Sequence, residues 1–169
     1  NKKKRKNNQQ LKLALNWSRR VNQVISRLEK DPAKVFAGVK KSLASISAKA
    51  DLAVVSSANQ SALLDEWDSY DLKQYVKVIL GQEAGPKADN IKDLKAVGYE
   101  SNKILMIGDA PGDLRAAEEN EVLFYPIMPC EEAESWQKFA EEGAAKFFTG
   151  DYQGKYEENL IKKFNFILK

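Results

Sequence analysis

The sequence predicts a doubly wound α/β domain, and two observations carry that reading. Four short apolar runs recur at Leu52–Val55, Tyr75–Leu80, Ile104–Ile107 and Val122–Tyr125, and stretches with helical periodicity lie between them. Near-continuous apolar strands alternating with amphipathic helices are what a parallel sheet covered on both faces requires.

The elements follow in order. Leu11, Leu15, Val21, Val24, Ile25 and Leu28 recur at a spacing that keeps them on one helical face. Asp31-Pro32 ends that helix, because proline disfavours helical geometry in the residue before it. Residues 1–33 are therefore expected to form a helical appendage and residues 34–169 the core domain. Val39, Leu43 and Ile46 mark a helix leading into the first apolar run. Further helices are expected at Ser61–Trp67, Ala88–Val97 with Gly98 as its stop, Asp113–Glu119, Glu131–Glu142 and Tyr156–Leu168.

Composition narrows the chemistry. With 169 residues the chain can bury one substantial core and a small appendage. The net charge is +3, but Lys2, Lys3, Lys4, Arg5 and Lys6 contribute five positive charges, so the remainder carries 3 − 5 = −2. A mildly acidic body argues against nucleic acid as a partner. Cys130 is the single cysteine, which allows no intramolecular disulfide and points to a reducing, cytoplasmic setting. No apolar run approaches the length of a membrane span, so no membrane partner is expected. The absence of histidine removes a Ser-His-Asp triad and any histidine-based zinc site.

In a doubly wound sheet, ligands bind where strands run into helices. Three such junctions stand out. Gly108-Asp109-Ala110-Pro111-Gly112-Asp113 places one carboxylate at a strand end and another four residues on, at a helix start. Two such groups suit a hard cation such as Mg²⁺, which takes one or two carboxylates plus waters and phosphate oxygens; the alternative is a turn with Asp113 capping its helix. Ser56-Ser57-Ala58-Asn59 offers hydroxyls and backbone N–H groups entering a helix, either a phosphate cradle or an ordinary cap. Gly85-Pro86-Lys87 puts a compact positive charge at a helix start, where the helix dipole disfavours it.

Serine after a strand, lysine at a helix start, then Gly-Asp-x-x-x-Asp after another strand resembles the second to fourth motifs of the haloacid dehalogenase superfamily, over about residues 36–125. The resemblance implies a Rossmann-like core, Mg²⁺ as cofactor, and hydrolysis of a small phosphorylated metabolite through an aspartyl-phosphate intermediate. Carried over by position, Ser56 and Lys87 are the catalytic residues, Ser56, Ser57, Asn59 and Lys87 bind phosphate, and Asp109 and Asp113 serve the metal. Residues 1–33 become the remnant of a cap, with Trp17, Arg19, Arg20 and Asn22 as candidates to face substrate.

One departure is large. The family's first motif, Asp-x-Asp, supplies the nucleophile, and no Asp-x-Asp occurs in these 169 residues. The motif is expected upstream of Asn1. Its strand belongs in the middle of the sheet, so without it the sheet should carry a gap or have one filled by a neighbouring element. The alternative function is a non-catalytic module that binds a phosphorylated ligand or a protein partner.

Overall fold

The structure, a computed structural model, describes residues 2–25 and 35–168. The chain divides into two units, residues 1–34 and 35–169.

In the first unit, α1 runs Lys2–Ile25. Trp17, Arg19 and Arg20 are exposed on it. The expected helix end at Asp31-Pro32, Leu28 and the side chain of Asn22 lie outside the described residues.

The second unit opens with α2 (Val39–Ser47), whose Val39, Leu43 and Ile46 are buried as their spacing requires. Strand β1 (Ala53–Val55) follows, then α3 (Gln60–Ser69), β2 (Val78–Leu80) and α4 (Lys87–Lys95). Strand β3 (Leu105–Gly108), α5 (Pro111–Glu119) and β4 (Leu123–Pro126) complete the strand-helix rhythm. The second apolar run is shorter as a strand than expected, because Lys73–Tyr75 forms a 3₁₀ turn. Gly98 sits at φ +121, a left-handed value that glycine adopts freely, and it follows α4 as the expected stop.

The stretch expected as a single helix over residues 131–142 is different in detail. It forms α6 (Glu132–Lys138), a π-helical turn at Phe139–Gly143, and α7 (Ala144–Thr149). Phe139 is almost fully buried, with its ring against Tyr125 at 4.9 Å. Gly143 lies so close to the Phe139 and Tyr125 rings that a Cβ there would press on both at 3.0 Å. Packing onto the sheet has overridden regular helical winding here. Helix α8 (Lys155–Ile167) closes the fold, with Leu160 and Phe164 buried.

The strands do not form one continuous sheet, which corrects the doubly wound expectation. They make two separate two-stranded parallel sheets, β1 with β2 and β3 with β4. Helix α4 packs against β1 and against α5, α5 packs against both β3 and β4, and α8 packs against β4. The architecture is α/β, and the sheet is split between β1 and β3.

The core is centred on β4. Phe124, Tyr125, Ala117, Tyr152 and Phe164 are at most 1% exposed. Tyr125 and Tyr152 keep their hydroxyls satisfied through the carbonyls of Ser135 at 2.8 Å and Phe124 at 2.7 Å. Burial pushes both phenols well above their ordinary pKa.

Candidate active site

The carboxyl ends of β1, β2 and β3 carry the residues singled out by sequence. At the end of β1, the Ser56 N–H continues the ladder by donating to the Leu80 carbonyl at 2.9 Å. Its hydroxyl accepts from the Ala58 N–H at 3.1 Å, which folds the chain over the strand end. Ser57 is exposed beside it. Asn59 is the N-cap of α3, where its side-chain oxygen accepts from the Ser61 and Ala62 N–H groups at 3.1 and 3.3 Å.

A residue that the motif reading missed occupies the same helix start. Glu83, in the short turn after β2, accepts from the Asn59 side-chain amide at 2.6 Å and from the Gln60 N–H at 2.9 Å. A carboxylate at a helix N-terminus gains from the dipole and from otherwise unpaired N–H groups. Its acidic character within Gly81-Gln82-Glu83 was the available signal. Gln60 binds the end of β2, donating to the Ile79 carbonyl at 2.9 Å and accepting from the Gly81 N–H.

At the end of β3 the predicted lysine meets one of the two predicted acids. Lys87, the first residue of α4, bonds through its ammonium to the Asp113 carboxylate. The second Asp113 oxygen accepts from the Asp109 and Ala110 N–H groups, both at 3.1 Å. Asp113 lies in the first turn of α5 and reaches back to the N–H of the capping residue Ala110. Its side chain is 3% exposed and that of Lys87 24%. A Cβ on Gly108 would overlap the Asp113 carboxylate, so glycine is what lets strand and acid approach.

Asp109 is different. Its side chain is exposed and has no hydrogen-bond or ion-pair partner among the described residues. Both Asp113 oxygens are engaged, so Asp109 offers the open oxygen ligands. No group of three or more His, Cys, Asp or Glu residues converges as a metal cage among the described residues. One free carboxylate beside a second, amide-bound one nonetheless fits Mg²⁺, which commonly relies on few protein ligands and fills the rest with water and phosphate.

This chain matches the haloacid dehalogenase-like hydrolase family over residues 2–126 and belongs to it. No curated protein and no solved structure matches it. No helix among the described residues is long and apolar enough to cross a membrane.

Proposed function

We propose that this chain is the larger part of a Mg²⁺-dependent phosphohydrolase acting on a small phosphorylated metabolite, with its nucleophilic aspartate supplied by residues outside these 169. The observation that favours it is the Lys87–Asp113 pair beside the exposed Asp109 at the end of β3.

In this reading Asp109 holds the cation, and the buried Asp113 fixes the Asp109 loop and the Lys87 ammonium. Bound there, Mg²⁺ would offset negative charge on the phosphoryl oxygens. Lys87 adds a fixed positive charge, while the Ser56 and Ser57 hydroxyls and neighbouring N–H groups bind the remaining oxygens. The nucleophilic carboxylate attacks phosphorus, the P–O bond to the leaving alcohol breaks, and water then cleaves the aspartyl-phosphate to release inorganic phosphate. Asn59 takes part through the helix start that it caps. The domain is read as cytoplasmic, with residues 1–33 as part of a cap.

The test is the Asp109→Asn substitution in the polypeptide that includes the nucleophile. Magnesium-dependent release of phosphate from a panel of sugar, nucleotide and short-chain acid phosphates is expected to fall by a factor of roughly 100 or more. The melting temperature should not move, since the side chain bonds to none of the described residues. Full activity in that variant would remove the assignment. A second reading, a non-catalytic phosphate-binding module, is favoured by the absence of Asp-x-Asp. Ligand binding without turnover by the nucleophile-containing polypeptide would select it.

A further inference from the structure

Two loops carry the serine and the lysine of the candidate site. One runs from the end of β1 through Ser56 into α3, and the other from the end of β2 through Gly81 and Glu83 to Lys87 at the start of α4. Loops that leave a sheet move more than the strands they follow, so beyond the paired residues only specific bonds hold two of them together.

Such bonds are present. The Gln82 N–H donates to the Ala58 carbonyl at 2.8 Å. The Gln60 side chain donates to the Ile79 carbonyl and accepts from the Gly81 N–H. Glu83 accepts from the Asn59 amide at 2.6 Å through one oxygen and from the Gln60 N–H at 2.9 Å through the other. The loops touch so closely that a Cβ on Gly81 would lie 2.7 Å from the Gln60 Cα, a backbone atom that cannot give way.

Glu83 does more than cap a helix. Asn59 already caps α3, accepting from the Ser61 and Ala62 N–H groups, and the exposed start of α3 leaves water available to the remaining donor. What Glu83 adds is its origin in the other loop. A carboxylate held on two donors fixes direction as well as distance.

Order on each side continues to the site. On the β1 side, Ala58 takes Gln82 on its carbonyl and gives its N–H to the Ser56 hydroxyl at 3.1 Å. On the β2 side, Gln82–Ala84 forms a 3₁₀ turn, and the buried Asn90 side chain donates to the Gly85 carbonyl at 3.3 Å. Gly85, at φ +102, bends the chain, and the ring of Pro86 fixes the backbone directly before Lys87. The lysine turn is therefore pinned at Glu83 and at Asn90.

We propose that Glu83 is a positioning residue: it clamps the Lys87 turn to the Ser56 loop, so that hydroxyl and ammonium keep one separation while a phosphoryl group is bound and transferred. Its two oxygens are spent on Asn59 and Gln60, so it acts through the loops. The consequence for turnover rests on the phosphohydrolase reading, whereas the clamp rests on the hydrogen bonds alone.

Two measurements test it. In the 169-residue chain, Glu83→Ala should make the amides of Ala58 and Gln60 on one loop, and of Gly81 and Gln82 on the other, exchange hydrogen together, about fivefold faster than in the wild type. Glu83→Gln, which keeps an acceptor for the Gln60 N–H, should restore most of that protection. Acceleration at Gln60 alone would reduce Glu83 to a helix cap and overturn the proposal. In the polypeptide that includes the nucleophile, Glu83→Ala should lower kcat about tenfold. In a Ser56→Ala background the same substitution should cost less than about twofold, because the two act through one loop. An equal loss in both backgrounds would also overturn the proposal. Absence of turnover in the wild type would remove the phosphohydrolase reading, and hydrogen exchange would still decide the clamp.

Discussion

Asp113 shows how one carboxylate can be committed before any ligand arrives. It receives the Lys87 ammonium and two backbone N–H groups, and it is 3% exposed. Removing the lysine would leave a buried acid with two weaker donors. Lys87→Met is therefore expected to destabilise the fold by roughly 1–3 kcal/mol, a value reduced by the partial exposure of the lysine. Urea unfolding would measure it, with Asp109→Asn as the neutral control. Asp109 and Asp113 occur four residues apart in the same motif, and the sequence suggests the same duty for both. Their difference is decided by geometry: Asp113 turns back into the loop, and Asp109 turns outward.

Among the elements, the junctions read best from sequence were those where one residue dictates a local outcome. Asn59 caps α3, and Gly98 follows α4 with positive φ. The π-helical turn was not legible, because the rings that impose it, Tyr125 and Phe139, are distant in sequence and meet only by packing. Glu83 was missed for the same reason: its partner helix starts 23 residues earlier.

Helix α8 carries a prediction of its own. Burial raises the Glu157 carboxyl above its ordinary pKa, even though the Phe124 N–H that it accepts pulls the other way. A raised carboxyl binds its proton more tightly when folded, so the wild type gains stability as pH falls through the folded value. It loses that contribution again as pH rises to neutral. Glu157→Gln keeps an acceptor for Phe124 and removes the charge. Its melting temperature relative to wild type should be higher at pH 7 than at pH 4, and no change in the difference between the two pH values would refute the linkage.

For the whole molecule, the split sheet is the dominant feature. The half-buried β3 and the β1 strand, exposed at Ala53 and half-buried beyond it, contrast with the fully buried β4, although all three are apolar runs.

By itself the sequence determined the α/β alternation and the position of each strand to within a few residues, and it singled out Lys87 and Asp113, whose side chains meet beside β3. It could do so because hydrophobic period and turn chemistry are local properties. Only the tertiary structure decided that β1 pairs with β2 and β3 with β4 in parallel register, and that Asp113 is spent internally while Asp109 is exposed. Those outcomes depend on which groups meet across 20 to 100 residues of chain, and no local pattern encodes such meetings.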